Sequence, residues 1–222
     1  MIKIVVFDLD GTLVDSLTDL ALNVNKGLAA VGLVQQPVEK FRQFVGNGRE
    51  VMIKKAMGES CDNEKLFSLA KDVFDKEYAL HCNDNTKEYS GCTLLLKRLA
   101  DAGIMTAVLS NKPDEFVKRI LTKVFSEHSF VEAWGQKPEY KRKPDGEALL
   151  AMLEIHGIDK SECLYVGDSD VDVFTAKNAG VAMAGVSWGF RGKDELRTAG
   201  AEYVADSAYE LGDYILKRAQ EE

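Results

Sequence analysis

Short apolar runs separated by segments of helical spacing are the feature that most constrains the fold of this chain. The runs are IKIVVF at 2–7, IMTAVL at 104–109, CLYVG at 163–167 and VAMAGV at 181–186. Strands that alternate with helices pair in parallel, because each crossover helix brings the chain back to the end where the previous strand began. The pattern predicts an α/β fold with a doubly wound, Rossmann-like parallel sheet.

The segment between residues 15 and 82 has a different pattern, with helical apolar spacing throughout and no convincing strand. Ser16, with Asp19 three residues later, is expected to form a capping box that starts the first helix. We therefore predict an α/β core formed by residues 1–14 and 83–222, with residues 15–82 inserted as a helical domain.

The charge and hydropathy of the chain restrict its partners. The 222 residues carry a formal net charge of −8, from 28 basic and 36 acidic side chains. Binding to nucleic acid is not expected, because it rests on basic side chains that neutralise phosphates. No run approaches the roughly 18 apolar residues of a membrane span, and the N-terminus does not read as a signal peptide. We expect a cytoplasmic monomer or homodimer whose partner is a small molecule.

The first apolar run leads directly into two carboxylates. Asp8 and Asp10 lie one residue apart within VVFDLDGTLVDS. If the strand continued, both side chains would share a face and repel each other unless a cationic or protonated group lay nearby. An Asp-Gly pair is also typical of a hairpin turn, but the residues that follow have helical periodicity. A calcium loop of the EF-hand type fails, because Leu13 stands where that loop needs glycine.

Polar residues also follow the later apolar runs. Ser110 and Asn111 follow the second run, Asp168 and Asp172 follow the third, and Lys143 lies in a loop that opens a helix. Open α/β sheets bind ligands at the carboxyl ends of their strands, so one crevice is expected to collect these side chains. One interpretation of these side chains is a phosphoryl-transfer site, in which a carboxylate attacks a phosphate. The repulsion between two like unit charges about 4 Å apart is roughly 4 kcal/mol at an effective dielectric constant of 20. A phosphoryl-transfer site of this kind needs a divalent cation, and Mg²⁺ suits the donor set.

In order, DLDGTLVDS, LSN, KP and VGDSDVDVFTAKNAG resemble the four motifs of the haloacid dehalogenase superfamily. The resemblance covers essentially the whole chain and includes a helical cap inserted just after the first motif. Within the superfamily, FVGNG and GVSWGFRG are most similar to segments of phosphoglycolate phosphatases and their near relatives. The resemblance implies a Mg²⁺-dependent phosphatase for a small phosphomonoester, and 2-phosphoglycolate is the first candidate.

The resemblance also implies a role for individual residues. Asp8 and Asp168 would bind Mg²⁺ through their carboxylates and Asp10 through its backbone carbonyl, with Asp172 in the next shell. Asp8 would be the nucleophile that forms an aspartyl-phosphate, and Asp10 the general acid and base. The residues expected to bind the phosphate are Thr12, Ser110, Asn111 and Lys143. In the cap, Arg49 is the residue nominated for contact with the substrate.

Several alternatives stay open at this point. A hexose-phosphate mutase, a pyrophosphatase or a nucleotidase of the same superfamily would use the same motifs. A phospho-accepting receiver-type signalling domain also clusters Asp, Ser or Thr, and Lys, although a helical cap is superfluous for such a switch. Asp170 could be a metal ligand or could help to cap a helix, and the loop Gly46–Gly48 could serve only to separate two helices.

Overall fold

The chain divides into two compact units, seen in a computed structural model that describes residues 1–220. The first unit contains Met1–Val14 and the described residues from Glu88 onward, and the second contains Asp15–Lys87. The second boundary therefore follows residue 87, whereas the sequence pattern put it after residue 82. The difference arises because Asn85 and Thr86 donate hydrogen bonds to Asp19 within the second unit.

A parallel sheet forms the first unit. Its strands are β1 (Ile4–Phe7), β4 (Met105–Pro113), β5 (Glu132–Gln136), β6 (Cys163–Gly167), β7 (Ala182–Val186) and β8 (Tyr203–Ala205). Two further strands of two residues each, β2 (Val14–Asp15) and β3 (Lys87–Glu88), pair separately. The spatial order of the large sheet is β5-β4-β1-β6-β7-β8, and all of its pairs are parallel. This is the doubly wound order, and the direction of winding reverses between β1 and β6, where such sheets bind ligands.

The four predicted strands are present, but two others escaped the sequence pattern. The missed strands, β5 and β8, are the two edges of the sheet. Edge strands need fewer apolar residues than central ones, so EAWGQ and YVA carry little signal. β4 also extends through Ser110 and Asn111 to Pro113, with an irregular register after Leu109.

The helices of the first unit cover both faces of the sheet. They are α5 (Cys92–Asp101), α6 (Asp114–Val124), α7 (Glu147–Ile155), α8 (Asp170–Ala179), α9 (Lys193–Ala199) and α10 (Ala208–Gln220). In β1, Val5 and Phe7 pack in one core cluster with residues of α5, α6 and α10. Ile4 and Val6 face the opposite side, in a cluster with residues of α7 and α8. A central strand covered on both faces is apolar throughout, which explains the uninterrupted IVVF.

The second unit is helical. Its helices are α1 (Leu17–Ala30), α2 (Phe41–Phe44), α3 (Arg49–Met57) and α4 (Glu64–His81), with 3₁₀ turns at Val38–Lys40 and Gly58–Ser60. Within residues 1–220, no helix combines the length and the apolar character that crossing a membrane requires.

The predicted capping box at the start of α1 is wrong. Ser16 is the N-cap residue, but its side chain makes no cap hydrogen bond in the described part of the chain. The Asp19 carboxylate instead accepts the backbone N–H groups of Asn85 and Thr86 at 2.8 to 3.0 Å and the Thr86 hydroxyl at 2.6 Å. These donors are distant in sequence, so local spacing could not reveal them.

Helices α1 and α4 approach closely at Gly27. A Cβ atom placed on Gly27 would lie 2.5 Å from the backbone carbonyl oxygen of Ala70, closer than real Cβ contacts. The neighbouring atom belongs to a helix backbone and cannot move aside without shifting the helix. Gly27 is therefore required by helix packing, although glycine weakens the interior of a helix.

Gly27→Ala is expected to lower the melting temperature by several degrees. Overpacking costs about 1–3 kcal/mol, and because the contact is with helix backbone we expect a cost above the gain of about 1 kcal/mol in helix propensity. Thermal unfolding followed by circular dichroism measures the change. Gly212→Ala in α10 is the matched control, because the added Cβ would meet the flexible end of the Arg98 side chain at 2.7 Å. A loss as large in Gly212→Ala would show that the helix contact is not the cause.

Candidate active site

Three buried carboxylates meet where β1 and β6 end. Asp8 follows β1, Asp168 follows β6, and Asp172 lies in the first turn of α8. One carboxylate oxygen from each residue lies within 4.8 Å of the other two. The backbone N–H of Asp8 donates to the carbonyl of Val166 at 2.8 Å, which continues the pairing of β1 with β6. The sheet thus brings together the three carboxylates that the sequence assigned to one crevice.

Lys143 is the cation inside this cluster. Its Nζ lies 2.9 Å from Asp8 Oδ1, 2.8 Å from Asp172 Oδ1 and 3.0 Å from the Tyr165 hydroxyl oxygen, and its side chain is 4% exposed. An ammonium group has three N–H donors, so these partners use all of them. Burial by itself lowers the pKa of Lys143, but attraction to Asp172 and Asp8 outweighs it and raises that pKa well above its usual value.

One lysine does not balance the negative charge of the cluster. Burial raises the pKa of Asp8 to about 7; attraction to Lys143 opposes this rise, and repulsion from Asp172 and Asp10 adds to it. Burial, followed by repulsion from Asp172 and Asp8, raises the pKa of Asp168 well above its usual value. A further cation beside these carboxylates would favour their ionised forms. A donor set made of carboxylate oxygens fits a hard divalent cation.

Two glycines press the backbone against Asp168. A Cβ on Gly11 would lie 2.4 Å from Asp168 Oδ2, and one on Gly189 would lie 2.3 Å from the Asp168 Cβ. The backbone N–H of Phe190 donates to Asp168 Oδ2 at 2.7 Å. Gly11 also has a φ of +89°, which other residues rarely adopt. These contacts give a structural reason for the glycines in DGT and SWGF.

Asp10 forms an ion pair with a second buried lysine, Lys112. Lys112 Nζ lies 3.0 Å from Asp10 Oδ1 and 2.9 Å from Asp10 Oδ2. The Lys112 side chain is 3% exposed and the Asp10 side chain 13%. The sequence reasoning missed Lys112, and the available signal was its position directly after Ser110 and Asn111 at the end of a predicted strand. The repulsion expected between two nearby carboxylates is thus countered by two lysines, one for each.

The expected strand alternation of Asp8 and Asp10 is wrong. β1 ends at Phe7, and the residues after it form a turn in which the Leu9 carbonyl accepts the N–H groups of Leu13 and Val14, both at 3.0 Å. Asp8 directly follows the strand, whereas Asp10 lies within the turn, so the two side chains are not on alternate positions of one strand. This geometry lets separate lysines reach them.

Thr12 presents an unusual hydroxyl. Its Oγ1 is buried and has no hydrogen-bond partner among residues 1–220. The backbone carbonyl of Thr12 accepts the indole N–H of Trp188 at 3.0 Å, which fixes the residue in place. Buried hydroxyls are rarely left unpaired, so this donor is suited to a ligand oxygen. The Oγ of Ser110, by contrast, accepts the N–H of Lys112 at 3.2 Å.

Asn111 and Asp172 hold other residues of the site. The Asn111 amide donates to the Lys143 carbonyl at 3.0 Å and accepts the Lys143 N–H at 2.9 Å, so its part in phosphate binding stays a prediction. Asp172 Oδ2 accepts the N–H and the hydroxyl of Ser169 at 3.1 and 2.7 Å. Asp170, whose role the sequence left open, is the first residue of α8 and accepts the N–H of Val171.

Arg49 lies in the second unit, where it begins α3 after the loop Gly46–Gly48 that separates α2 from α3. Arg49 Nη1 lies 3.0 Å from Asp75 Oδ1, and Lys71 Nζ lies 3.0 Å from Asp75 Oδ2. The Arg49 side chain is 36% exposed. Its predicted contact with the substrate stays a prediction.

Similarity to known proteins agrees with this geometry. Residues 5–186 match the family model described as haloacid dehalogenase-like hydrolase. A phosphoglycolate phosphatase of Vibrio parahaemolyticus is 35% identical over 219 residues, which cover 96% of each chain. A phosphoglycolate phosphatase of Vibrio vulnificus is 34% identical over 223 residues, which cover 98% of each chain. The crystal structure of a predicted phosphoglycolate phosphatase from Haemophilus somnus has a TM-score of 0.88 at 31% identity and covers 99% of this chain and 98% of that one.

This chain belongs to the haloacid dehalogenase-like hydrolase family, as the resemblance of its four motifs predicted. Its α/β fold is confirmed by the parallel sheet and by the likeness to the Haemophilus somnus structure. Within the family it is a phosphatase, that is, a phosphoric monoester hydrolase. The receiver-type signalling domain is thereby ruled out.

A divalent cation is expected to stabilise the protein more at pH 7.5 than at pH 5. Asp8 has a pKa of about 7 when folded and 3.8 in its usual state, so the folded chain keeps a proton that the unfolded chain releases. Stability should therefore fall as the pH rises between those values, and a cation that binds the ionised carboxylates should restore it. At 100 times its Kd such a cation adds about 2.7 kcal/mol, or several degrees of melting temperature.

Melting curves with chelator and with Mg²⁺ at both pH values measure this effect. Asp168→Asn should remove most of the gain, whereas Asp101→Asn on the surface of α5 should retain it. An equal gain at both pH values, or a full gain in Asp168→Asn, would show that the cation acts elsewhere.

Proposed function

We propose that this phosphatase hydrolyses 2-phosphoglycolate with Mg²⁺ as its cofactor, through an aspartyl-phosphate on Asp8. The observation that carries the proposal is the buried cluster of Asp8, Asp168 and Asp172 around Lys143 at the point where the sheet reverses its winding. The name of the relatives that are 34 and 35% identical over nearly their whole length supports the choice of substrate.

The carboxylates of Asp8 and Asp168 and the backbone carbonyl of Asp10 would hold Mg²⁺. When bound, this cation neutralises carboxylate charge and draws electron density from the phosphate oxygens. Asp172 is less suited to direct coordination, because Lys143 and Ser169 already bond its two oxygens. Its task in this proposal is to hold Lys143 beside the nucleophile.

Asp8 would attack phosphorus, and the bond from phosphorus to the substrate's alcohol oxygen would break. Asp10 would give that oxygen a proton, which makes the alcohol a better leaving group. In the second step a water molecule gives its proton to Asp10 and attacks phosphorus, the bond to Asp8 breaks, and inorganic phosphate leaves. Splitting one displacement into two in this way lowers each barrier.

Thr12 and Lys143 would bind the transferred phosphoryl group at different stages. The unpartnered hydroxyl of Thr12 can donate to a phosphate oxygen from the start. Lys143 directs one N–H at Asp8 before reaction, and phosphorylation of Asp8 would remove the carboxylate charge that holds this N–H. The same N–H can then turn to a phosphoryl oxygen, where it stabilises the charge that develops.

Substitution of the two N-terminal carboxylates should separate their roles. Asp8→Asn is expected to abolish turnover, because the nucleophile is lost. Asp10→Asn should still release p-nitrophenol in a single turnover, since that leaving group needs little protonation, while release of glycolate from 2-phosphoglycolate should slow by about 100-fold or more. Rapid-quench measurements with enzyme in excess report this first step. If Asp10→Asn slows both substrates equally, the acid role of Asp10 is wrong.

Arg49 is the residue we propose for recognition of the substrate carboxylate. A guanidinium can form two parallel hydrogen bonds with a carboxylate. In the second unit, Arg49 donates one hydrogen bond to the Asp75 carboxylate. A carboxylate of the substrate would take the place of Asp75 as its partner. Such a contact lies away from phosphorus, so it would set specificity rather than chemistry.

Arg49→Ala is expected to lower kcat/KM for 2-phosphoglycolate by about 10 to 100-fold and to leave p-nitrophenyl phosphate nearly unchanged. This range corresponds to roughly 1.5–3 kcal/mol for a charged hydrogen bond. Continuous phosphate release from both substrates measures it, with glucose 1-phosphate, pyrophosphate and a nucleoside monophosphate as further substrates. Arg42→Ala, also in the helical unit, is the control. Equal losses on both substrates would mean that Arg49 does not read the carboxylate, and faster turnover of another phosphate would displace 2-phosphoglycolate as substrate.

A further inference from the structure

Lys112 is a buried lysine that the chemistry described so far does not use. Its side chain is 3% exposed, and its ammonium group contacts both carboxylate oxygens of Asp10. Lysine is almost never fully buried unless it is paired, because removal of an ammonium ion from water costs several kcal/mol. An apolar side chain would fill a purely structural position without that cost. The burial of Lys112 is therefore best explained by what it does to Asp10.

The backbone that carries Lys112 is held firmly. Its N–H donates to Ser110 Oγ at 3.2 Å. Its carbonyl oxygen lies 2.5 Å from the position that a Cβ on Gly135 would take, so β4 and β5 are in close contact there. The N–H of Gly135 also donates to Asp114 Oδ1 at 3.0 Å, which fixes the chain just after Lys112. The ammonium group thus extends from a rigid part of the sheet.

The backbone around Asp10 is held by the hydrogen bonds of the turn, so the freedom of Asp10 lies in its side chain. Asp10 follows β1 in the turn, directly before Gly11 with its φ of +89°. The terminal torsion of an aspartate has a broad energy minimum, so its carboxyl plane is not fixed by its own backbone. An ammonium group at 3.0 and 2.9 Å from the two oxygens restrains that rotation.

We propose that Lys112 is a positioning residue, which holds the Asp10 carboxyl in the orientation for proton transfer with the leaving oxygen. This inference rests on the proposed acid and base role of Asp10. Lys143 serves the nucleophile Asp8 in the same way, so each of the two carboxylates is held by a lysine from a different part of the fold. In this proposal Lys112 acts through Asp10 and does not bind the phosphate, so its loss should lower the rate and leave KM nearly unchanged.

The test uses Lys112→Met, which keeps most of the side-chain length and removes the charge. Lys112→Gln, which keeps a polar end, is the second variant if Lys112→Met does not fold. Single-turnover release of glycolate from 2-phosphoglycolate should slow by about 10 to 100-fold, whereas release of p-nitrophenol should change by less than about threefold. KM for each substrate should stay within about threefold of wild type. Lys97→Met on the surface of α5, where Lys97 pairs with Asp101, is the matched control.

A double-mutant cycle adds a readout that a general loss of stability would not produce. Lys112→Met in the Asp10→Asn background should cause no further loss in glycolate release, because Lys112 acts through Asp10. Additive losses, equal losses on both substrates or a raised KM alone would overturn the inference. A larger loss in glycolate release than in p-nitrophenol release is the leaving-group effect. If Asp10→Asn shows this effect and Lys112→Met does not, this inference alone is overturned. Absence of the effect from both variants would overturn the acid role of Asp10 and the inference with it.

Discussion

The site depends on the close approach of several buried carboxylates, whose negative charges repel each other. Asp8, Asp168 and Asp172 bring carboxylate oxygens within 4.8 Å of one another at the ends of two central strands, with Lys143 as the cation among them. Burial, together with repulsion between these carboxylates, raises the pKa of Asp8 and of Asp168. In the proposed function, a bound divalent cation would offset this repulsion and would allow a phosphate dianion to approach a carboxylate.

Two lysines from different segments of the chain each pair with one of the N-terminal carboxylates, Asp8 or Asp10. Lys143 comes from the loop before α7 and is held through its backbone by Asn111, whereas Lys112 comes from the end of β4. In the proposed reaction, Lys143 would hold the Asp8 carboxylate and Lys112 the Asp10 carboxylate. One carboxylate can then remain a nucleophile while its neighbour exchanges protons, as the proposed two-step reaction requires.

Much of the fold follows from local patterns, and the failures have a physical cause. The central strands were found because burial on both faces forces them to be apolar, while the edge strands β5 and β8 need no such composition. The capping box at Ser16 failed because Asp19 binds Asn85 and Thr86, which lie in the return segment far along the chain. Local spacing identifies which groups can bond, but distant donors compete for them.

The sequence by itself determined which reactive groups this protein has: carboxylates after β1 and β6, a lysine before α7, and hydroxyls within the motifs. Sequence patterns reveal these groups because strand ends and motif spacing are local properties. Only the tertiary structure decided how those groups pair. Lys112 reaches Asp10, Tyr165 bonds Lys143, and Gly189 packs on Asp168. Such pairings join residues that are distant along the chain, and the packing of the whole sheet determines which buried charges lie within hydrogen-bond distance.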